Sequence, residues 1–119
     1  MVAAATAVAL AGVGLAASPA SATATVCQQD GVAELCASSI ATQDVLTINY
    51  QVTQFDGPGT YSAYYVSEST SNASTAQTVG PLGYQGTASS TFHAAPGDCY
   101  DVHLDSSAGT SLVTGPVCG

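Results

Sequence analysis

Asp101, His103 and Asp105 alternate along one short segment, so in an extended strand they project from a single face, about 7 Å between successive members. A carboxylate beside an imidazole raises its proton affinity, and the same trio offers oxygen and nitrogen donors to a cation. Two-residue spacing spreads those donors too widely for one small ion unless neighbouring strands contribute. The expectation is therefore a solvated outer face, with Tyr100, Val102 and Leu104 turned inward, and no metal or cofactor. His93, the other histidine, reads as a loop residue beside the Pro96 turn. Serine is abundant, but there is no Gly-x-Ser-x-Gly elbow and no basic side chain to hold an oxyanion. The sequence accordingly predicts no enzyme, with a small hydrolase as the catalytic alternative. The tyrosines say more. If Tyr61, Ala63 and Tyr65 point inward, Ser62, Tyr64 and Val66 point outward. Tyr64 and Val66 then form a candidate binding surface, and Tyr84, in a glycine-flanked turn, is a second surface candidate.

All four cysteines, Cys27, Cys36, Cys99 and Cys118, lie after the first 22 residues. An even number in a small exported domain reads as two disulfides, and four cysteines permit three connectivities. The local pairing Cys27–Cys36 with Cys99–Cys118 is preferred, because each pair brackets a predicted hairpin. Such bridges would close short loops, each worth about 2.5 to 3.5 kcal/mol on the chain-entropy model. No Cys-x-x-Cys knuckle or histidine cluster favours zinc.

Export is predicted from the first residues. Val2 to Ala17 is almost wholly Ala, Val, Leu and Gly, followed by Ser18-Pro19-Ala20-Ser21-Ala22, an apolar run with a small-residue cleavage site. Residues 1–22 are read as a cleaved signal peptide, helical in its apolar run, with cleavage after Ala22 or Ala24. The run is too short and lacks the basic flank of a membrane span. No Lys or Arg precedes it, which places doubt on the start codon and not on the segment's purpose. The remainder, 25–119, is about 95 residues and one domain, near the size at which a single core needs covalent help. It is expected to be secreted.

The chain has eight carboxylates and no Lys or Arg. Nucleic acid and anionic membrane surfaces are excluded as partners, since phosphate binding depends on basic side chains. Mutual repulsion among carboxylates predicts that stability rises as pH falls toward the carboxylate range.

The elements that must position these residues are strands, because apolar periodicity is two almost throughout. Val26 to Ile40 reads as a hairpin turning at Asp30-Gly31, with Val32, Leu35 and Ile40 offered to the core. In Val45 to Thr53, Leu46, Ile48, Tyr50 and Val52 alternate with polar residues. Phe55 to Gly59 is a turn and Thr60 to Glu68 a tyrosine-rich strand. Ser69 to Gln77 has nothing to anchor it and carries the sequon Asn72-Ala73-Ser74. Gly80 to Gly83 reads as a turn, Gln85 to Phe92 as a weak strand, and Ala95 to Asp98 as a turn into the strand Cys99 to Asp105. Ser106 to Gly109 closes a hairpin onto Thr110 to Cys118, whose main apolar residues are Leu112 and Val113. About seven strands with a turn every 8 to 12 residues is the mark of an all-β sandwich.

Residues 45–117 resemble a fibronectin type III domain or, more loosely, an immunoglobulin-like sandwich. The resemblance rests on Leu46-x-Ile48-x-Tyr50, on Tyr61-x-Ala63-x-Tyr65, and above all on Pro96-Gly97-Asp98-Cys99-Tyr100-Asp101-Val102-His103-Leu104. It implies that Tyr100 is a corner tyrosine whose hydroxyl returns to the preceding turn while its ring packs inside. Tyr50 stands where the family has Trp, and no cysteine pair fits an inter-sheet bridge. The function expected is a secreted, non-catalytic binding domain whose partner is an extracellular protein, a glycan or a cell-envelope component. A small-molecule carrier resembling acidic two-disulfide chromophore apoproteins is the alternative, followed by an enzyme inhibitor.

Overall fold

The computed structural model describes residues 21–119, all of them in strands, bridges, turns or loops. The expected leader lies outside the described residues except for Ser21 and Ala22, which begin the first strand. Nine strands follow in order: β1 (Ser21–Gln29), β2 (Ala33–Ala41), β3 (Leu46–Gln54), β4 (Gly59–Ser67), β5 (Gln77–Leu82), β6 (Thr87–Ala94), β7 (Cys99–Ser106), β8 (Ser111–Val113) and β9 (Val117–Cys118). They build two antiparallel sheets. The first runs β1-β2-β3-β6; the second runs β5-β4-β7-β8, with β9 also paired to β7.

Local chemistry explains three of the reversals. Asp30 Oδ1 accepts the backbone N–H groups of Val32 and Ala33, at 2.9 and 3.1 Å, and Gly31 supplies the positive φ of 89° that the β1–β2 reversal needs. At the other end of β2, the Thr42 side chain bridges to Val45 before β3 begins. Ser106 Oγ accepts from the N–H groups of Ala108 and Thr110 and so closes the β7–β8 hairpin.

The inner faces meet in one core. From the first sheet come Leu35, Leu46, Ile48, Tyr50, Val52 and Phe92; from the second come Tyr61, Ala63, Val102, Leu104, Leu112 and Val117. Each large aliphatic here contributes about 1.5 to 3 kcal/mol by leaving water. Tyr65 is half-buried and meets both Phe92 and Tyr100 edge-on, joining the sheets through aromatic contact. Tyr100 donates its hydroxyl hydrogen to Ala95 O at 2.6 Å, the return to the turn that the resemblance implied.

Several expectations need correction. Val32 and Ile40 are 40% and 45% exposed, because the inward series of β2 is Ala33, Leu35, Ala37, Ser39 and Ala41. A strand cannot turn residues 32, 35 and 40 to one side, since the first and last differ in parity from the middle one. Gly80-Pro81-Leu82 is not a turn; it completes β5, an edge strand where proline's missing N–H is tolerated. Gly80 adopts φ 100°, and a Cβ there would lie 2.9 Å from Gly59 O, so only glycine lets β5 approach β4 so closely. The reversal falls at 83–86 and β6 starts at Thr87. The 69–77 segment is anchored after all. Ser67 N–H donates to Asn72 O, Ala73 bridges Val66, and Tyr65 N–H donates to Ser74 Oγ. Finally, the last strand is two pieces. Thr114 N–H donates to Val102 O and Thr114 Oγ1 accepts from Val102 N–H, which carries the ladder across the break between β8 and β9.

Both disulfides join directly opposed residues of neighbouring strands: Cys27 to Cys36 across β1 and β2, and Cys99 to Cys118 across β7 and β9.

Candidate functional site

The outer face of the second sheet collects most of the chemistry-bearing residues singled out in the sequence. Pairing of β4 with β7 sets Val66 opposite Asp101, Tyr64 opposite His103, and Ser62 opposite Asp105. Pairing of β7 with β8 extends the last two rows, adding Val113 beside His103 and Ser111 beside Asp105. The central row is therefore Tyr64, His103 and Val113, with a carboxylate on either side. Tyr64 and His103 stack nearly parallel, 4.9 Å between centroids and 10° between planes. Val113, one of the two main apolar residues of the last strand, is 41% exposed here, because Leu112 takes the inward position of β8.

The electrostatics of this face follow from carboxylates without cations. Ser111 Oγ donates to Asp105 Oδ1 at 2.9 Å. The Tyr64 phenol is raised above its ordinary value, first by burial and then by the adjacent Asp105 carboxylate, which repels a phenolate and accepts the phenol's hydrogen bond. Glu68, just past β4, is raised above the usual carboxylate range by its hydrogen bond to Asp101, then by that group's charge, burial and Asp98. Two carboxyls sharing a site resist ionising together. Asp98 goes the other way. It is lowered by hydrogen bonds from the hydroxyls of Ser67 and Ser69, at 2.6 and 2.7 Å, and from the N–H of Cys99 at 2.7 Å. Asp98 thus pins the 67–72 loop beside the acidic face.

The structure does not bring Asp101, His103 and Asp105 together as a ligand set. Asp101 is engaged with Glu68, His103 lies flat on Tyr64, and Asp105 holds Ser111. Among the described residues, the trio of His, Cys, Asp or Glu whose ligand atoms converge within 4.8 Å is Cys27, Glu34 and Cys36, and there the two sulfurs are bonded to each other. Tyr84, 69% exposed, does not share the face of Tyr64. It sits in the β5–β6 turn, beyond the Gly59–Leu82 pair, at one end of the sandwich. His93 is exposed on the outer face of β6, opposite Thr47 of β3.

Among the depressions elsewhere on the described residues, two bear on ligand binding. A groove of about 390 Å³ crosses the outer face of the first sheet, lined by Thr25, Ser38, Asn49, Gln51, Ser89 and Thr91. A notch of about 220 Å³ opens between the edges of β5 and β6, where Ala88, Ser90 and Gly80 leave the sandwich unfilled. Its polar wall is ordered: Tyr50 donates its hydroxyl hydrogen to Gln77 Oε1 at 2.7 Å, and Gln77 Nε2 donates to Thr91 O at 3.0 Å. Sequence reasoning missed Val113, Ser111 and Glu68 as members of the acidic face, since only strand register places them there. No protein-family model, curated protein or solved structure matches this chain.

Proposed function

We propose that this chain is an exported, non-catalytic binding domain that works outside the cytoplasm and makes contact through the outer face of its second sheet. The observation that carries the reading is the stacked Tyr64–His103 pair extended by Val66 and Val113, an aromatic and aliphatic surface on a rigid sheet instead of a loop. Large side chains with few rotatable bonds lose little entropy on docking. Two disulfides in a domain of this size support an oxidising compartment, and hence secretion.

The immunoglobulin-like reading is supported by strand order. If β2, β3 and β6 are taken as strands A, B and E, and β4, β7 and β8 as C, F and G, the neighbours agree with that fold; β5 has moved from beside E to beside C, and β1 is an extra edge. The corner tyrosine fits the same scheme.

A carrier is less well supported. The inter-sheet notch, at about 220 Å³, falls below the roughly 300 to 1,000 Å³ of drug-sized ligand sites. For the hydrolase reading, His103 has its ring face against Tyr64 and not against a serine. The test is affinity capture from culture medium and cell-wall fractions with the mature domain, alongside Tyr64→Ala and Tyr84→Ala. Captured species should be lost with Tyr64→Ala and retained with Tyr84→Ala; retention with both rejects the face.

A further inference from the structure

The acidic face has a pattern that specifies its occupant. Asp101 and Asp105 lie on the same side of β7, four residues and so about 13 Å apart, with the Tyr64–His103 stack midway between them. An extended segment lying along β7 presents same-side residues at that same repeat. Its first and fifth residues then meet the two carboxylates while the third rests on the Tyr64 and Val113 row.

We propose that this face docks a cationic polypeptide segment of the pattern basic-x-apolar-x-basic, the basic residues pairing with Asp101 and Asp105. The inference rests on the contact face argued above and adds the partner's chemistry. Charge complementarity selects the sign: the chain carries eight carboxylates and no Lys or Arg, so Asp101, Asp105 and Glu68 have no ammonium or guanidinium of their own to meet. The hydrogen bond between Glu68 and Asp101 marks crowding of like charge that an incoming cation relieves. The central row selects an apolar third residue, since Val113 and the outer side of Tyr64 give up water there. The opposite face of the sandwich has no such arrangement. Its groove is lined by hydroxyls and amides together with Cys36, Ala37 and Tyr50 and by no acidic side chain, and the one carboxylate on the outer side of β2, β3 and β6 is Glu34.

The experiment uses the intact, oxidised domain and two fluorescein-labelled peptides of identical composition, one containing Arg-Ser-Leu-Ser-Arg and the other Arg-Arg-Leu-Ser-Ser, both flanked by glycines. Fluorescence anisotropy at low ionic strength should show the spaced peptide binding at least about fivefold more tightly than the scrambled one. D101N/D105N should weaken the spaced peptide by about tenfold or more, whereas D44N/D56N, which removes the same charge from the β2–β3 and β3–β4 turns, should change it by less than about twofold. Equal losses in the two double variants, equal affinity for the two peptides, or no binding of either overturns the proposal by reducing it to net charge or to nothing. Displacement of the bound peptide by soluble laminarin, a neutral glycan, overturns it in favour of a sugar ligand. Because capture by the Tyr64 face is measured separately, a peptide failure with Tyr64-dependent capture intact rejects the partner's chemistry and leaves the face.

Discussion

The two outer faces of this sandwich cover the same core and differ in almost everything else. On the first sheet the outward residues of β3 and β6 are Thr47, Asn49, Gln51 and Thr53 against His93, Thr91, Ser89 and Thr87, a neutral array of hydroxyls and amides with one imidazole. On the second sheet they are Ser62, Tyr64 and Val66 against Asp105, His103 and Asp101, aromatic at the centre and acidic at the flanks. Both satisfy the alternation that a half-buried strand requires, so folding does not dictate the difference. A neutral polar face is enough for solubility. Placing an aromatic stack between carboxylates asks for a further explanation, and docking supplies one.

If the faces differ while the interior is shared, core truncations on either sheet should be alike. Leu35→Ala and Leu104→Ala should each lower unfolding free energy in urea by about 2 to 5 kcal/mol. A small loss on one side only would mean that the sheets do not share a core. Replacing Cys99 and Cys118 together by alanine should cost about 3 kcal/mol, and the Cys27–Cys36 pair slightly less because its loop is shorter, as equilibrium melts can measure. Putting acid on the neutral face comes next. Asn49 and Thr91 are directly opposed, so N49D/T91D should lose about 1 kcal/mol at neutral pH and recover most of it in acid. The smallest effect is Glu68→Gln, which should raise the melting temperature slightly at neutral pH by ending the contest with Asp101, with no gain once Glu68 is protonated.

The pH profile of the unmodified domain follows from the same two groups. Glu68 is raised above its ordinary value of 4.5, so its ionisation opposes folding at neutral pH, and that penalty disappears as pH falls through the raised value toward 4.5. Asp98 is lowered from 3.8, so its stabilising contribution is present above 3.8 and is lost as pH falls through the lowered value. Melting temperature should therefore increase from pH 7 down to the region between these ordinary values, then decline. A midpoint falling steadily from pH 7 to pH 4 would contradict this.

Where apolar residues were large and strictly alternating, as in Leu46 to Val52 and Tyr100 to Leu104, the strands and their buried sides were legible from the sequence. Strand β2 was not, because its inward side is mostly alanine and serine while Ile40 faces out; side-chain size there is set by the space left beside β9, where Ser39 Oγ donates to Cys118 O. Tyr64 and Val66 were placed on an outer face by alternation alone. Their neighbours could not be, since His103, Val113 and Ser111 arrive through the register of β4, β7 and β8, which local periodicity does not encode. Tyr84 was grouped with Tyr64 only as a fellow exposed tyrosine, and distance along β4 separates them.

The placement of the disulfides has a mechanical consequence. Each staples a terminal strand to its immediate neighbour, β1 to β2 and β9 to β7. Tension applied between the two ends of the domain would therefore bypass the hairpin between Cys27 and Cys36 and the segment between Cys99 and Cys118, β7 and β8 included, and enter the chain at Cys36 in β2 and at Cys99, just after β6. The strands nearest those two points, β2 and β6, flank β3 in the first sheet, so the oxidised molecule carries the load on the chain between Cys36 and Cys99 and shields β7, β8 and the β1–β2 turn, while under reducing conditions the load runs through those segments as well.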